Sequence, residues 1–173
     1  GLARLRAAGV DVELLDPQDP VAITARDLNI GFLSRMVRQR PWVRLKIAAS
    51  LDGRTALDDG RSQWITGEPA RADGHAYRKR AGAVLTGIGT VLEDDPRLDV
   101  RLVDTALQPR RIVVDSKLDV PLEARILAAP GECLVYTAHA RSRQAGAKML
   151  ALDERGITVL TCPNAEGKVD LPP

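Results

Sequence analysis

Aromatic residues, cysteines and long apolar runs are all scarce in this chain of 173 residues. Aromatic residues make up 3% of it, which is too few for the stacking surfaces of a domain that binds single-stranded nucleic acid. Excess charge is small as well, since 25 basic and 23 acidic residues leave a net charge of +2. We therefore expect no nucleic acid and no membrane as a partner. No apolar run approaches the ~18 residues of a membrane span.

The two cysteines, Cys133 and Cys162, lack the spacing of a zinc site or a disulfide framework. We expect them to be reduced thiols in a cytoplasmic protein. The two histidines, His75 and His139, are far apart, and the chain lacks the His-x-Glu and Pro-Cys-x-x-Cys elements of a zinc deaminase. These absences predict no metal site. The lack of an initiator Met suggests a piece of a longer chain, and no signal-peptide core is present.

The first forty residues have a pattern of their own. The predicted elements are a helix over residues 2–8, a short strand over 10–14 and a helical stretch over 21–38 that Gly31 divides. Pro41 ends the last helix, because proline lacks the N–H that a helix interior needs. We place a domain boundary there, between residues 1–40 and 41–173.

Beyond Pro41, short apolar strands alternate with helical segments. The predicted strands are Trp42–Ala49, an edge strand Ser62–Ile65, Ala83–Leu85, Arg111–Val114, Leu134–Thr137 and Ile157–Thr161. The predicted helices run from Pro69 to about Arg80, from the Gly87–Gly89 turn to Asp94, and over Gln144–Arg155. Asp52-Gly53 predicts a hairpin-type turn. The alternation predicts an α/β fold with a mainly parallel sheet flanked by helices.

The segment Gly82–Asp95 delivers an apolar strand into a Gly-Ile-Gly-Thr turn. Glycines let the backbone approach a phosphate closely, and the following helix would present N–H groups to it. The third glycine of the dinucleotide fingerprint is missing, because Leu92 occupies its place. The segment is therefore open to two interpretations, a phosphate-binding turn and an ordinary strand–helix connection.

Basic side chains recur near this turn. Arg71, His75 and Arg78 share one face of a predicted helix, and Arg97 and Arg101 flank an acidic turn. Arginine binds phosphate through a bidentate fork, so these residues suit a phosphorylated substrate. The alternatives are a solvated helix face for the first three and ion pairs with neighbouring aspartates for the other two.

Two further residues carry open alternatives. Lys46 lies in the predicted apolar strand, where it either points outward or turns inward toward a bound phosphate or a reacting carbon. Trp64 either belongs to the core or packs against a cofactor ring.

The chain resembles the reductase domain of the bifunctional riboflavin biosynthesis deaminase/reductase family. The segments that carry the resemblance are PWVRLKIAASLDG (residues 41–53), SQWIT (62–66), LTGIGTVLEDDPRLDVR (85–101) and RIVVDS (111–116). Residues 1–40 resemble the tail of that family's cytidine-deaminase-like domain, whose zinc motifs would lie upstream. The resemblance implies a dihydrofolate-reductase-like fold and NADPH-dependent reduction of the ribosyl group of 5-amino-6-(5-phosphoribosylamino)uracil.

The resemblance also assigns site residues. It implies NADP contacts at Ala48, Trp64, Thr90, Asp94 and Ser116. It implies substrate contacts at Ser62, Arg78, Leu98 and Arg101. Lys46 matches a lysine of the family's strand motif, and we expect it to help polarise the sugar end. Zinc is expected only in the deaminase domain.

The family's later glycine-rich segment should follow residue 173, so the sheet is expected to be incomplete there and this chain alone to bind NADPH poorly and have little activity. Exposed edges of such a sheet would favour a homo-oligomer. Two other functions remain open at this point: a pterin reductase of the dihydrofolate reductase class, and a nucleotide-binding module without catalysis. The motifs on either side of this chain would discriminate among the three.

Overall fold

The computed structural model describes residues 1–139 and 143–171. The chain divides into two compact units, Gly1–Ile47 and Ala48–Pro173. The predicted boundary at Pro41 stays a prediction, since it concerns the origin of residues 1–40 in another domain. Among the described residues, no helix is both long and apolar enough to span a membrane.

The first unit contains the helices α1 (Leu2–Ala7), α2 (Pro20–Leu28) and α3 (Ile30–Arg38). Helix α2 begins at the Asp19 carboxylate, which accepts a hydrogen bond from the Val21 N–H at 2.8 Å. Helices α2 and α3 are divided at Asn29 rather than at Gly31. The backbone of Asn29 departs from helical geometry, and its side-chain N–H donates to the Ala25 carbonyl. The predicted strand over residues 10–14 is wrong, since these residues form no ladder.

Two other predicted strands are also wrong. Trp42–Ala49 and Ser62–Ile65 belong to no strand, although both have the apolar composition of one. An extended segment becomes a strand only when a neighbour satisfies its backbone groups, and neither segment has such a neighbour among the described residues. Most of their apolar side chains are exposed, including Val43 and Leu45.

The turn at Asp52-Gly53 is confirmed and is repeated a few residues later. In the first turn the Ser50 N–H donates to the Arg54 carbonyl, and in the second the Leu57 N–H donates to the Arg61 carbonyl, each at 2.9 Å. Gly53 has φ +83° and Gly60 has φ +85°, a region that glycine enters without steric cost. These turns are stabilised from within and need no contact with the sheet.

The sheet of the second unit has four parallel strands in the order β1 (Ala83–Gly87), β2 (Arg110–Val114), β3 (Cys133–Thr137) and β4 (Thr158–Thr161). All four lie where the sequence predicts them. The expected α/β architecture with a parallel sheet is confirmed. Neighbouring strands pair in register, for example Val113 with Val135, so these two side chains lie on the same face.

Helices cover that face. They are α5 (Ile88–Asp94), α6 (Arg125–Ala128) and α7 (Arg143–Asp153). Val91, Ile126 and Leu152 bring their side chains into one buried cluster with Val113 and Val135. Helix α6 has only four residues and no apolar period, and the sequence did not predict it. Helix α4 (Glu68–Lys79) and helices α5 and α7 agree with the predicted spans to within a residue or two.

A buried arginine lies at the amino end of strand β2. Arg111 on β2 is 1% exposed, and its guanidinium donates to the carbonyls of Pro130 and Gly131. These two carbonyls offset part of the cost of burying the charge, while Arg111 Nε has no hydrogen-bond partner among the described residues. The loop after α6 is thereby fixed to the sheet.

Candidate functional site

The carboxyl ends of β1 and β2 lie side by side, since Gly87 pairs with Val114. Ligands of parallel α/β sheets bind at this edge, where the loops leave the strands. Thr90 follows β1 in the first turn of α5, and Ser116 follows β2 by two residues. The structure therefore places the backbones of Thr90 and Ser116, two predicted NADP contacts, at one edge of the sheet.

Ser116 is held by three hydrogen bonds. Its Oγ accepts from the Val169 N–H at 3.1 Å, and its carbonyl accepts from the Ala138 N–H at 3.2 Å and from the Thr137 hydroxyl at 3.3 Å. Because a hydroxyl both donates and accepts, Ser116 keeps its own proton for a further acceptor. The residue before it, Asp115, is fully buried and accepts from the Val120 N–H at 2.7 Å, which orders the same turn.

The backbone of the glycine turn borders open space. A Cβ placed on Gly87 or Gly89 would meet no atom within 4 Å. Thr90 and Asp94 on the following helix are exposed, and the Asp94 carboxylate accepts a hydrogen bond from the Ser62 hydroxyl at 3.4 Å. A predicted NADP contact and a predicted substrate contact are thus neighbours, although they are 32 positions apart in the chain.

Trp64 is not a core residue. It is 70% exposed, and the Arg71 guanidinium lies 4.6 Å from the centre of its ring. Arg71 also donates to the Thr66 carbonyl at 2.7 Å, so helix α4 holds the indole plane from one side by a cation–π contact. The other side of the ring is available for a flat ligand. The sequence offers a phosphate contact or a solvated helix face for Arg71. It does not predict the contact with Trp64.

Arg78 and Arg101 meet around a buried histidine and a buried aspartate. Arg78 Nη1 lies 3.4 Å from His75 Nε2 and donates to the Asp99 carbonyl at 3.3 Å. The Arg101 N–H donates to His75 Nδ1 at 3.1 Å, and Arg101 Nη1 donates to the Asp99 carboxylate at 2.7 Å. Arg97 binds the other carboxylate oxygen at 2.7 Å. The ion pairs that the sequence offered as the alternative for Arg97 and Arg101 are present, and their common partner is Asp99.

Burial and charge set the protonation of this basic cluster. Burial is the main cause that lowers the pKa of His75 to about 4, and the Arg78 and Arg101 charges lower it further while Asp99 opposes them. Burial alone would raise the pKa of Asp99, but the hydrogen bonds from Arg101 and Arg97 outweigh it and bring the pKa below its ordinary value. At neutral pH the cluster therefore holds three guanidinium charges, one carboxylate charge and a neutral imidazole.

The sequence placed His75 on the basic helix face without assigning it a contact, and it did not identify Asp99 as a site residue. The interpretation of the Arg71–His75–Arg78 stripe as a solvated helix face is wrong for His75, which is 4% exposed. Helical spacing shows which residues share a face but not what covers that face. The usable signal was the acidic residue between two arginines, since a carboxylate at that place pairs with both.

The remaining predicted residues lie as follows. Leu98 has φ +53° and packs its half-buried side chain against the core. Ala48 is half-buried at the start of the second unit. Lys46 is exposed in the first unit and lies in no strand, so the argument from a cation inside an apolar strand does not hold. The described residues contain no group of three side chains suited to a metal ion.

The fold and the cluster define a class: an α/β domain with a parallel sheet, a glycine turn at the carboxyl edge and an arginine cluster on the flanking elements. Within that class, the chain belongs to the RibD C-terminal domain family, whose model matches residues 41–173. The resemblance drawn from the sequence segments is confirmed.

Relatives agree with this assignment. The chain is 38% identical to the riboflavin biosynthesis protein RibD of Aquifex aeolicus over 161 residues, covering 92% of this chain and 43% of that protein. It is 43% identical to the Escherichia coli RibD over 144 residues, covering 76% of this chain and 38% of the relative. The chain thus spans less than half the length of the curated relatives it matches.

Solved structures give the same result for the fold. Acinetobacter baumannii RibD superposes with a TM-score of 0.74 at 36% identity, covering 95% of this chain and 44% of that one. A Thermotoga maritima protein described as a diaminohydroxyphosphoribosylaminopyrimidine deaminase/5-amino-6-(5-phosphoribosylamino)uracil reductase superposes with a TM-score of 0.69 at 25% identity, covering 93% of this chain and 49% of that one.

Proposed function

We propose that this chain serves the NADPH-dependent reduction of the ribosyl group of 5-amino-6-(5-phosphoribosylamino)uracil to the ribitylamino product. The Thermotoga maritima protein is described as a reductase of this substrate. Membership of the RibD C-terminal domain family supports extending that activity to residues 41–173.

The observation that carries the proposal is the basic cluster. Arg97 and Arg101 share the Asp99 carboxylate, and within the described residues Arg78 donates to the Asp99 carbonyl and lies beside the His75 ring. Each guanidinium has five N–H donors in total, so several remain for a ligand. Three positive charges around one negative charge favour a dianion such as the substrate phosphate. Arg78 and Arg101 are therefore proposed to bind the phosphate, with Ser62 and the Leu98 backbone beside the sugar and base.

The residues at the carboxyl edge fit NADPH. The Gly87–Gly89 backbone is accessible, and within the described part of the chain the Ser116 hydroxyl proton has no acceptor. The exposed Trp64 ring offers a flat apolar surface. We propose that Ala48, Trp64, Thr90, Asp94 and Ser116 hold the cofactor, which supplies the hydride when it is bound. These residues contribute position and exclude water, and the reducing electrons come from the nicotinamide.

Lys46 is proposed to act at the sugar end, where an ammonium group would polarise the reacting carbon. The support is its position in the matched segment, which begins at residue 41. Assay of Lys46→Ala in the full-length protein tests this role. An unchanged kcat and KM would remove Lys46 from the mechanism.

Residues 1–40 are proposed to be the tail of a deaminase-like domain, with zinc bound only upstream. The coverage of 95% on Acinetobacter baumannii RibD supports this, because it extends beyond the matched residues 41–173. A cytoplasmic location is proposed from the two free thiols, Cys133 and Cys162. A homo-oligomer is proposed because β1 is an edge strand of the described sheet, and light scattering after gel filtration measures it directly.

The phosphate site is tested by titrating the chain with ribose 5-phosphate and, separately, with ribose. We expect the phosphate ester to bind and ribose to bind far more weakly. Arg78→Ala and Arg101→Ala should each weaken ribose 5-phosphate binding by about 10- to 100-fold, since a charged hydrogen bond contributes ~1.5–3 kcal/mol. Lys79→Ala, an exposed change on the same helix, should leave it unaltered.

Three outcomes would contradict the proposal. Equal binding of ribose and ribose 5-phosphate would show that the cluster does not read phosphate. An NADPH-dependent signal that responds to dihydrofolate and does not respond to ribose 5-phosphate would favour a pterin reductase. Binding of NADPH to the full-length protein without turnover of the pyrimidine substrate would favour a nucleotide-binding module.

A further inference from the structure

His75 connects the two arginines of the proposed phosphate site. It lies on α4 one turn before Arg78, and it reaches the Arg101 backbone across the loop that follows α5. Its side chain is 4% exposed and touches both partners through different ring nitrogens. A buried imidazole whose Nδ1 accepts from a backbone N–H has a defined tautomer and a defined orientation.

The hydrogen bonds identify that tautomer. The Arg101 N–H is a donor only, so Nδ1 must carry a lone pair to accept from it at 3.1 Å. In a neutral ring the proton then resides on Nε2. This assignment follows from the bonding network, since hydrogen positions are inferred from it.

The protonated Nε2 faces Arg78 Nη1 at 3.4 Å. Both groups are donors, so they do not satisfy each other, and the N–H bonds of the pair are left to find an acceptor. The Asp99 carbonyl accepts one of them from Arg78 at 3.3 Å. A ligand anion next to Arg78 would supply acceptor oxygens for the remaining donors.

We propose that His75 is a positioning residue, which in its neutral form holds the Arg101 backbone through Nδ1 and so keeps Arg101 beside Arg78 in one anion-binding cluster. The inference rests on the proposed function, in which that anion is the substrate phosphate. His75 acts through Arg101.

The charges around the ring agree with this role. Arg78 and Arg101 face it from α4 and from the loop, and Asp99 is the nearby carboxylate. With a pKa of about 4, the ring is neutral at physiological pH and its Nδ1 lone pair is available. A protonated ring would lose that acceptor and add a positive charge between two arginines.

Titration with ribose 5-phosphate near neutral pH tests the proposal on wild type, His75→Leu and His75→Asn. Leu removes the acceptor at similar volume, and we expect about tenfold weaker binding, the loss of one net hydrogen bond. In His75→Asn the Oδ1 atom occupies the position of Nδ1 along the side chain. We expect it to restore binding to within about threefold of wild type. Lys79→Ala is the matched control.

A second measurement needs no variant. The ¹⁵N chemical shifts of the His75 ring in wild type should show Nδ1 unprotonated and Nε2 protonated at neutral pH. The reverse tautomer would overturn the proposal, even if His75→Leu failed to fold. Circular dichroism of each variant reports whether the fold is retained.

The arginine variants separate this inference from the function on which it depends. If Arg78→Ala weakens ribose 5-phosphate binding and a folded His75→Leu does not, the positioning role is wrong and the phosphate site stands. If His75→Leu and His75→Asn weaken it equally, the acceptor is not the cause and the proposal also fails. If wild type does not distinguish ribose 5-phosphate from ribose, both proposals fail.

Discussion

Residues 48–66 and the basic cluster carry predicted site residues in two different physical settings. In residues 48–66 the ion pairs join residues that are close in sequence and exposed to solvent. Arg54 pairs with Asp52 and Asp58, and these carboxylates are at least 68% exposed. In the cluster, Arg97 and Arg101 pair with a carboxylate that is 2% exposed. The residue types and distances are alike, and burial makes the difference.

This difference separates a preformed part of the site from a part that a ligand must order. A buried carboxylate cannot exchange its arginines for water without a large penalty, so Arg101 keeps its place. The side chains of residues 48–66 lose little when they move. We infer that the proposed phosphate side of the site is organised before binding and that the exposed Ser62 side completes it afterwards.

Two leucines, one in the buried core and one in residues 48–66, test the effect of burial on a single residue type. Leu152 is 0% exposed in α7, and Leu51 is fully exposed in the first turn. Leu152→Ala should lower the free energy of unfolding by about 3–4 kcal/mol, through lost burial and a residual cavity. Leu51→Ala should change it by less than about 0.5 kcal/mol. Urea unfolding followed by circular dichroism measures both, and a similar loss in the two variants would refute the contrast.

Acid titration probes the cluster next. The pKa of His75 falls from 6.5 to about 4 on folding, so the unfolded chain binds the additional proton between these values. Stability from neutral His75 is complete above pH 6.5 and is lost as the pH falls toward 4, by at most about 3 kcal/mol. His75→Leu should remove this dependence, measured by urea unfolding across the window.

The other histidine is the control for that measurement. His139 is exposed, and His139→Leu should retain the wild-type pH dependence. Asp99 contributes outside the window, because its lowered pKa means that its stabilisation is lost only in stronger acid. A His75→Leu variant that keeps the full wild-type slope would show that the ring is not buried in neutral form.

A pair of aspartates gives the smallest of the three effects. Asp99→Ala removes the shared partner of two arginines and should cost about 2 kcal/mol, less than for a fully buried pair because both arginines are partly exposed. Asp59→Ala removes an exposed partner of Arg61 and should cost less than about 0.5 kcal/mol. Thermal unfolding ranks the two, and equal shifts would mean that burial does not strengthen the cluster.

The parallel sheet was predictable because its strands are short apolar segments that alternate with helical segments along the chain. Val113 and Val135 are buried, as the apolar composition of these strands predicts. The segment Trp42–Ala49 has the same composition and is not a strand, since strand formation depends on a partner backbone that the sequence of one segment cannot name. Helix α6 was missed because four residues contain no period.

The site was predictable in its arginines and not in their supports. The family segments pointed to Arg78 and Arg101, and their bond network requires knowing that α4 meets the loop after α5. His75 and Asp99 are 24 positions apart, and only the fold shows that both lie beside these arginines. Burial of a polar residue is a tertiary property, whereas spacing along the chain is a local one.

The register of the sheet has a consequence for how the domain assembles. Ala83 pairs with Arg110, Arg111 with Cys133 and Leu134 with Thr158, so each pairing closes a loop of about 25 residues. Loop-closure entropy grows only with the logarithm of length, so none of the three pairings is favoured by proximity. The order of assembly is then set by what each pairing buries. We therefore expect the central strands β2 and β3, with Val113 against Val135, to pair first and the outer strands to be added to them.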